Sequence, residues 1–137
     1  MRRVTRADGT VVACTWDYRD GMTMLRAFWD AAVTVDPAAP HEGRVMPFCT
    51  TAELEELWHA VGFADVRTDA LVVERTYADF DDFWDPFTFG VGPGGAYCMS
   101  LDPEQREAVR RECFRQLGEP ADRFTLTARA WFVAGRV

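Results

Sequence analysis

Residues 11–18 read VVACTWDY and place an apolar run close to the start of the chain. The run Val11-Val12-Ala13-Cys14 is closed by Thr15-Trp16-Asp17. An uninterrupted apolar run of this kind predicts a strand that is buried on both faces, rather than one with a face open to water. Such strands usually lie in the middle of a sheet, so a chain that begins with one is unusual.

Helical patterns follow this first strand. Pro37 closes the first helix, and the polar and Pro/Gly-rich residues 36–47 predict a surface loop. Thr50 and Glu53 form a capping-box pattern that predicts the start of a second helix, and Gly62 predicts its end. The first helix carries apolar residues at helical spacing: Met22, Leu25, Phe28, Trp29, Ala32 and Val33.

The middle of the chain predicts a second strand and a short aromatic helix. Residues 66–77 crowd β-branched and apolar side chains together, as in a strand. Asp79 opens the aromatic helix, and Pro86 is expected to bend or end it. The glycine-rich residues 90–97, GVGPGGAY, predict a flexible surface loop or lid segment.

The last part of the chain predicts one more helix and one more strand. Asp102 to Gln105 combine an N-cap residue, a proline at the first helical position and a capping partner. Residues 124–137 alternate cleanly between two faces, as a strand does. The order is therefore strand, helices, strand, helices, strand, which predicts a single α/β unit over residues 1–137.

Charge and composition exclude several classes of partner. The formal net charge of −7 argues against nucleic acid and anionic membranes, because their phosphates would be repelled. No apolar stretch approaches the roughly 20 residues that span a bilayer, and no signal-peptide core follows Met1. We therefore expect a soluble, cytoplasmic protein. Its scattered cysteines predict reduced thiols rather than disulfides or a zinc site: Cys14, Cys49, Cys98 and Cys113.

Two motifs could suggest ligand sites but have simpler explanations. The glycines of residues 90–95 follow an aromatic helix rather than a strand, so a phosphate-binding loop is not predicted. The four carboxylates of residues 79–85 interleave with a helical aromatic stripe and predict N-terminal helix charge rather than a cation site. His41 and His59 carry no catalytic signal. We therefore predict no metal site and name no catalytic residue.

An ordered series of segments resembles the C-terminal half of a class I S-adenosylmethionine-dependent methyltransferase of the small-molecule type. The segments are RRVTRADGTVVACTWDY, TAELEELWHAVGFADV, DFDDFWDPFTFGVGPGGAY and LTARAWFVAGRV. Asp8 stands where the family commonly has the first glycine of a turn. In the family's strand order 3-2-1-4-5-7-6, the resemblance implies a three-stranded mixed sheet equivalent to strands 5, 7 and 6 with flanking helices. Such a unit would be an incomplete Rossmann-like domain.

The same resemblance implies a function and a missing part. The family transfers a methyl group from S-adenosylmethionine to an acceptor, and it holds this cofactor through groups that precede the fifth strand. We therefore expect a methyltransferase-family protein that lacks the cofactor-binding half, does not bind S-adenosylmethionine alone and is inactive alone. The ends of α/β strands and the helical insertion imply an acceptor pocket. Its candidate residues are Trp16, Asp17, Tyr18, Trp29, Trp84, Phe87 and Tyr97, of which several could equally be core.

Two alternatives stay open at this point. One is a non-catalytic small-molecule-binding or dimerisation module. Because the fifth strand would lose its usual neighbour, its apolar edge predicts a homodimer or association with a separate N-terminal half. The other is an α+β ligand-binding protein unrelated to methyltransferases, which wholly antiparallel strands would favour.

Overall fold

The computed structural model describes residues 1–137 and contains three strands and six α-helices. The strands are β1 (Thr10–Trp16), β2 (Ala64–Tyr77) and β3 (Phe124–Arg136). The helices are α1 (Thr23–Val35), α2 (Glu42–Val45), α3 (Thr51–Val61), α4 (Phe80–Thr88), α5 (Gly92–Ser100) and α6 (Pro103–Gln116). A turn of 3-10 helix, Arg2–Val4, precedes β1. None of the helices is long and apolar enough to cross a membrane.

The three strands form one open sheet in the order β1-β3-β2. β3 lies in the centre and pairs antiparallel with both neighbours, so β1 and β2 run parallel to one another without touching. The predicted α/β class and three-stranded sheet are confirmed. The prediction of a mixed sheet is wrong. β1 and β2 are parallel to one another, but each pairs only with β3, and both of these pairs are antiparallel. An unrelated α+β ligand-binding protein would also show wholly antiparallel pairing, so this alternative gains support.

Local sequence signals set the helix ends as predicted. The Thr50 hydroxyl accepts from the Glu53 amide at 3.2 Å, and the Glu53 carboxylate accepts from the Thr50 amide at 3.1 Å. Gly62 ends α3 with φ +87°, a conformation that costs glycine little. The Asp102 carboxylate likewise accepts from the Gln105 amide at 2.8 Å at the start of α6. Both helix starts therefore follow from short-range chemistry.

Two predicted loops contain helices instead. The polar segment 36–47 includes the short helix α2, whose N-cap His41 accepts from the Gly43 amide through its ring nitrogen. Most of GVGPGGAY belongs to α5, which has proline in its first turn, where its fixed φ suits a helix. Gly94 packs near the Phe87 ring, and Gly95 lies against the Gly90 backbone. The glycines thus allow α5 to pack closely on α4, and the prediction of a flexible loop or lid is wrong.

Two cores lie on opposite faces of the sheet. On one face, α3 packs against the odd-numbered positions of β1 and β3, with Leu54 and Trp58 against Val11 and Val133. On the other face, the helices α1, α4, α5 and α6 form an aromatic core that meets the sheet only at the end near Tyr77. The even-numbered face at the β1 end is therefore left without a covering helix.

β1 is not buried on both faces as its apolar run predicts. Val11 is buried under α3, but Val12 is 49% exposed, Trp16 is 42% exposed and Cys14 is exposed as well. The alternation arises because α3 covers the odd-numbered side chains while nothing covers the even-numbered ones. The prediction of a doubly buried first strand is wrong for this chain.

Candidate functional site

An apolar groove of about 580 Å³ opens on the uncovered face of the sheet. It runs between β1 and β2 over the central strand β3. No charged side chain is among its lining residues, which are Cys14, Thr15, Trp16, Tyr18, Met46, Leu71, Val73 and Ala130. Apolar concave surfaces with a few polar groups are the usual form of small-molecule sites. This groove is therefore the candidate functional site.

Strand register gives the groove its shape. Ala130 of β3 lies opposite Trp16 on one side and opposite Leu71 on the other. Paired residues of antiparallel strands share one face of the sheet, so these three side chains form a row. The next small residue along this face of β3, Ala128, lies opposite Val73. Small side chains on the central strand thus make the floor, and large ones on the outer strands make the walls.

The end of the groove beyond β1 carries its clearest hydrogen-bonding group, the Tyr18 phenol. This hydroxyl makes no hydrogen bond to another protein group. Burial, together with the neighbouring Glu42 and Cys49, raises the pKa of the Tyr18 phenol above its usual range. The phenol therefore stays protonated at neutral pH and can donate a hydrogen bond to a bound molecule.

Met46 closes the same end of the groove from a well-anchored loop. The Cys49 thiol donates to the Met46 carbonyl at 3.3 Å, and the Trp131 indole donates to the Cys49 carbonyl at 2.7 Å. Between them, Phe48 adopts φ +60°, an uncommon conformation for a bulky residue. These bonds fix the loop against the sheet and hold Met46 at the rim.

Asp17, a predicted pocket residue, is buried beside the groove and does not line it. It is 1% exposed, and it accepts from the Asp20 amide at 2.9 Å and from the Arg129 Nε at 2.9 Å. Burial alone would raise the pKa of the Asp17 carboxyl, but the bonds from Asp20, Arg129 and Gly21 outweigh it and lower the pKa. The carboxylate thus joins the end of β1 to β3.

The other predicted residues divide between the groove and the helical core. Trp16 and Tyr18 line the groove. Trp29, Trp84 and Phe87 are buried in the aromatic core, where the Trp29 indole donates to Glu42 at 2.8 Å. Tyr97 packs against that core and donates to Asp36 at 3.1 Å, and burial together with Asp36 raises the pKa of Tyr97 to about 12. None of these four residues lines the groove.

Several groove residues were not predicted as site residues. Leu71 and Val73 appeared only as part of the apolar middle of the second strand. Their alternation could have placed them on one face, but only the register against β3 brings them opposite Trp16. Cys14 was predicted only as a reduced thiol, and it is the one exposed cysteine of the four.

The buried histidine and the cysteines have structural surroundings, and no cluster of metal-ligating side chains forms. His41 is buried, with its Nδ1 accepting from Gly43 and its Nε2 3.0 Å from Asp30, so both ring nitrogens serve the fold. No group of three or more His, Cys, Asp or Glu side chains is placed to hold a metal ion. Burial raises the pKa of the Cys113 thiol to about 12, which makes it unreactive.

Neither the acidic residue after β1 nor the glycine-rich residues 90–95 has the surroundings of a cofactor-binding group. The turn after β1 carries an acidic residue, but the Asp17 carboxylate is already bonded to Arg129 and the Asp20 amide. The glycine-rich residues 90–95 follow the helix α4 rather than a strand. A cofactor-binding turn needs a strand before its glycines and a helix N-terminus after them.

Comparison with known proteins adds no relative. No protein-family model matches the chain, and no curated protein matches it. The resemblance to methyltransferases therefore remains an expectation from the sequence.

Proposed function

We propose that this chain is a methyltransferase-like unit that binds a small, largely apolar molecule and does not itself hold S-adenosylmethionine. The observation that carries the proposal is the sheet order β1-β3-β2, with an antiparallel strand between two parallel ones. That order is the one expected for strands 5, 7 and 6 of the class I methyltransferase fold. β1, β3 and β2 would then be these three strands.

The placement of the helices supports the same equivalence. α3 has the capped start and glycine end expected of the helix before strand 6, and it leads directly into β2. α4, α5 and α6 lie between β2 and β3, where the family carries its insertion on the acceptor side. In this proposal the groove, at the end of β1, is the acceptor-side pocket.

The groove suggests the chemical class of its ligand. Its walls are aromatic, aliphatic and sulfur-containing, and an ionic group would lose its hydration without gaining a countercharge there. The Tyr18 phenol offers one hydrogen bond. We expect a neutral, flat or branched apolar molecule with a hydrogen-bond acceptor at one end. Because the four cysteines are free, we place this activity in the reducing cytoplasm.

A second candidate is catalytic and depends on a partner. The outer edge of β1 has no neighbouring strand. A separate unit that carries the cofactor site could pair there and complete a methyltransferase, whereas a second copy would leave a non-catalytic binding module. If the separate unit pairs there, we expect methyl transfer only when both chains are present.

Calorimetric titration tests the first of these proposals. S-adenosylmethionine added to the isolated chain is expected to give no binding heat. Clear micromolar binding would contradict the proposal that this chain does not itself hold S-adenosylmethionine. Binding of a neutral apolar dye in the groove provides the matching positive test.

A further inference from the structure

The outer edge of β1 carries backbone groups without partners. The Gly9 carbonyl accepts from the Val137 amide at 2.9 Å, and the Asp17 amide donates to the Arg129 carbonyl at 3.0 Å. Hydrogen bonds in an antiparallel pair fall on alternate residues, so the odd-numbered residues of β1 bond to β3. The even-numbered residues point their amides and carbonyls outward, and none of these groups has a protein partner: Thr10, Val12, Cys14 and Trp16.

The two outer edges of the sheet differ in chemistry. β2 carries charged residues along its length, and such charges discourage pairing with another strand: Asp65, Arg67, Asp69, Glu74 and Arg75. β1 reads TVVACTW and contains no charge and no proline. Soluble proteins rarely leave such an edge open. β1 is therefore the edge that a further strand would join.

We infer that the outer edge of β1 pairs antiparallel with β1 of a second copy of this chain. A two-fold axis beside Ala13 brings the four outward residues of one copy opposite the same four of the other. These residues are placed symmetrically on either side of Ala13 in the sequence. Each copy contributes three strands, so the dimer has one continuous six-stranded sheet. An interface of this kind is isologous, the commonest form in soluble homodimers.

The absence of charge along β1 allows a second copy to approach at this edge. Two chains of net charge −7 repel one another, so close contact requires a neutral surface on each. β1 and the groove lining beside it provide one. α3 packs against the odd-numbered side chains of β1 and β3, so it lies on the opposite face of the sheet from the exposed Val12 and Trp16.

Side chains strengthen the same contact. The outward residues of β1 also place their side chains on the uncovered face, where Val12 is 49% exposed and Trp16 is 42% exposed. Pairing brings these side chains beside those of the second copy, and neighbouring side chains on one face stabilise paired strands. A second copy is thus the partner that the proposed function leaves open, and this contact depends on the edge of β1 and not on the ligand of the groove.

Sedimentation velocity of three proteins tests the inference. The wild type is expected to be a dimer that dissociates on dilution. Val12→Lys places a charge at the edge on both copies and is expected to weaken the dimer by about tenfold or more. Leu71→Lys is the matched control, since Leu71 is 52% exposed on the same face but lies on β2. It is expected to remain dimeric.

Each other outcome overturns the inference. A wild type that stays monomeric at every concentration has no such dimer. A dimer that survives Val12→Lys uses another surface, and a dimer lost in Leu71→Lys packs through the groove face. Circular dichroism of each variant shows whether it is folded. None of these outcomes alters the calorimetric test with S-adenosylmethionine, so the two proposals fail separately.

Discussion

Arg129 in β3 donates a hydrogen bond from its Nε to the buried Asp17 carboxylate at 2.9 Å, across 112 residues of sequence. The guanidinium also lies over the Trp131 ring, 4.4 Å from its centroid. Asp17 follows directly after β1, so this contact fastens the end of β1 to the central strand. The groove residues Trp16 and Tyr18 flank Asp17 on either side, and the ion pair therefore positions both of them.

Removing the Asp17 carboxylate is expected to destabilise the fold strongly. Asp17→Ala leaves the Arg129 guanidinium, which is 34% exposed, and the Asp20 amide without their buried acceptor, and such a loss costs about 2 kcal/mol. Glu107→Gln is the control, because Glu107 pairs with Arg111 on the exposed face of α6 and such a pair is worth about 0.5 kcal/mol. Urea unfolding followed by circular dichroism measures both. Equal losses in the two variants would contradict a structural role for the Asp17 pair.

Acid is expected to weaken the same contact. The lowered pKa of Asp17 means that its stabilising effect is complete above its ordinary value of 3.8 and is lost as the pH falls through the lowered value. The melting temperature of the wild type should therefore fall more steeply below pH 4 than that of Asp17→Asn. Bonds from Arg115 lower the pKa of Glu112 to about 2, but Glu112 titrates in both proteins and cancels in the difference. If the melting temperatures of the two proteins fell in parallel with pH, the acid sensitivity would not come from Asp17.

Gly21 is expected to tolerate no side chain. A Cβ atom there would lie 2.5 Å from the Arg129 Cβ and 2.8 Å from the Asp17 carboxylate. Gly21→Ala should therefore disturb the ion pair as well as the turn. Gly118→Ala is the control, since Gly118 has φ +82° but open space where a Cβ atom would lie, and such strain costs about 1 kcal/mol. Unfolding free energies should show the larger loss in Gly21→Ala, and the reverse order would refute the steric argument.

The groove is expected to bind a neutral apolar dye. Nile red should fluoresce more strongly with the folded protein, and Trp16→Ala should weaken its binding by about tenfold, because one wall of the groove is lost. Phe89→Ala is the control, since Phe89 is 72% exposed but lies between α4 and α5, outside the groove. Equal effects of both substitutions would mean that the dye binds exposed apolar surface in general.

Local chemistry explains what could be predicted from the sequence. The capping boxes at Thr50 and Asp102 act within one helical turn, and the alternation of residues 124–137 is visible along a single strand. α5 was missed because its glycines suggest flexibility when read alone, whereas in the structure they let two helices pack closely. The residues next to these glycines in the sequence could not show this, because Gly94 packs near Phe87, which lies on α4.

The candidate site depended on long-range contacts. Trp16 and Tyr18 could be predicted because they end a strand, but the opposite wall depends on the register that sets Leu71 and Trp16 on either side of Ala130. The exposure of β1 was missed for a similar reason. An apolar run predicts that a strand is buried. It does not predict which face of the strand the folded chain leaves exposed to solvent.

Amide hydrogen exchange along β1 tests most directly whether its outer edge pairs with a second copy of the chain. The amides of Val12 and Cys14 face the outer edge, while those of Ala13 and Thr15 bond to β3 and serve as internal references. We predict that all four amides are protected at high protein concentration. On dilution, Val12 and Cys14 lose their protection, while Ala13 and Thr15 keep it. Rapid exchange of Val12 and Cys14 at every concentration would contradict this prediction, because the edge would then have no partner strand.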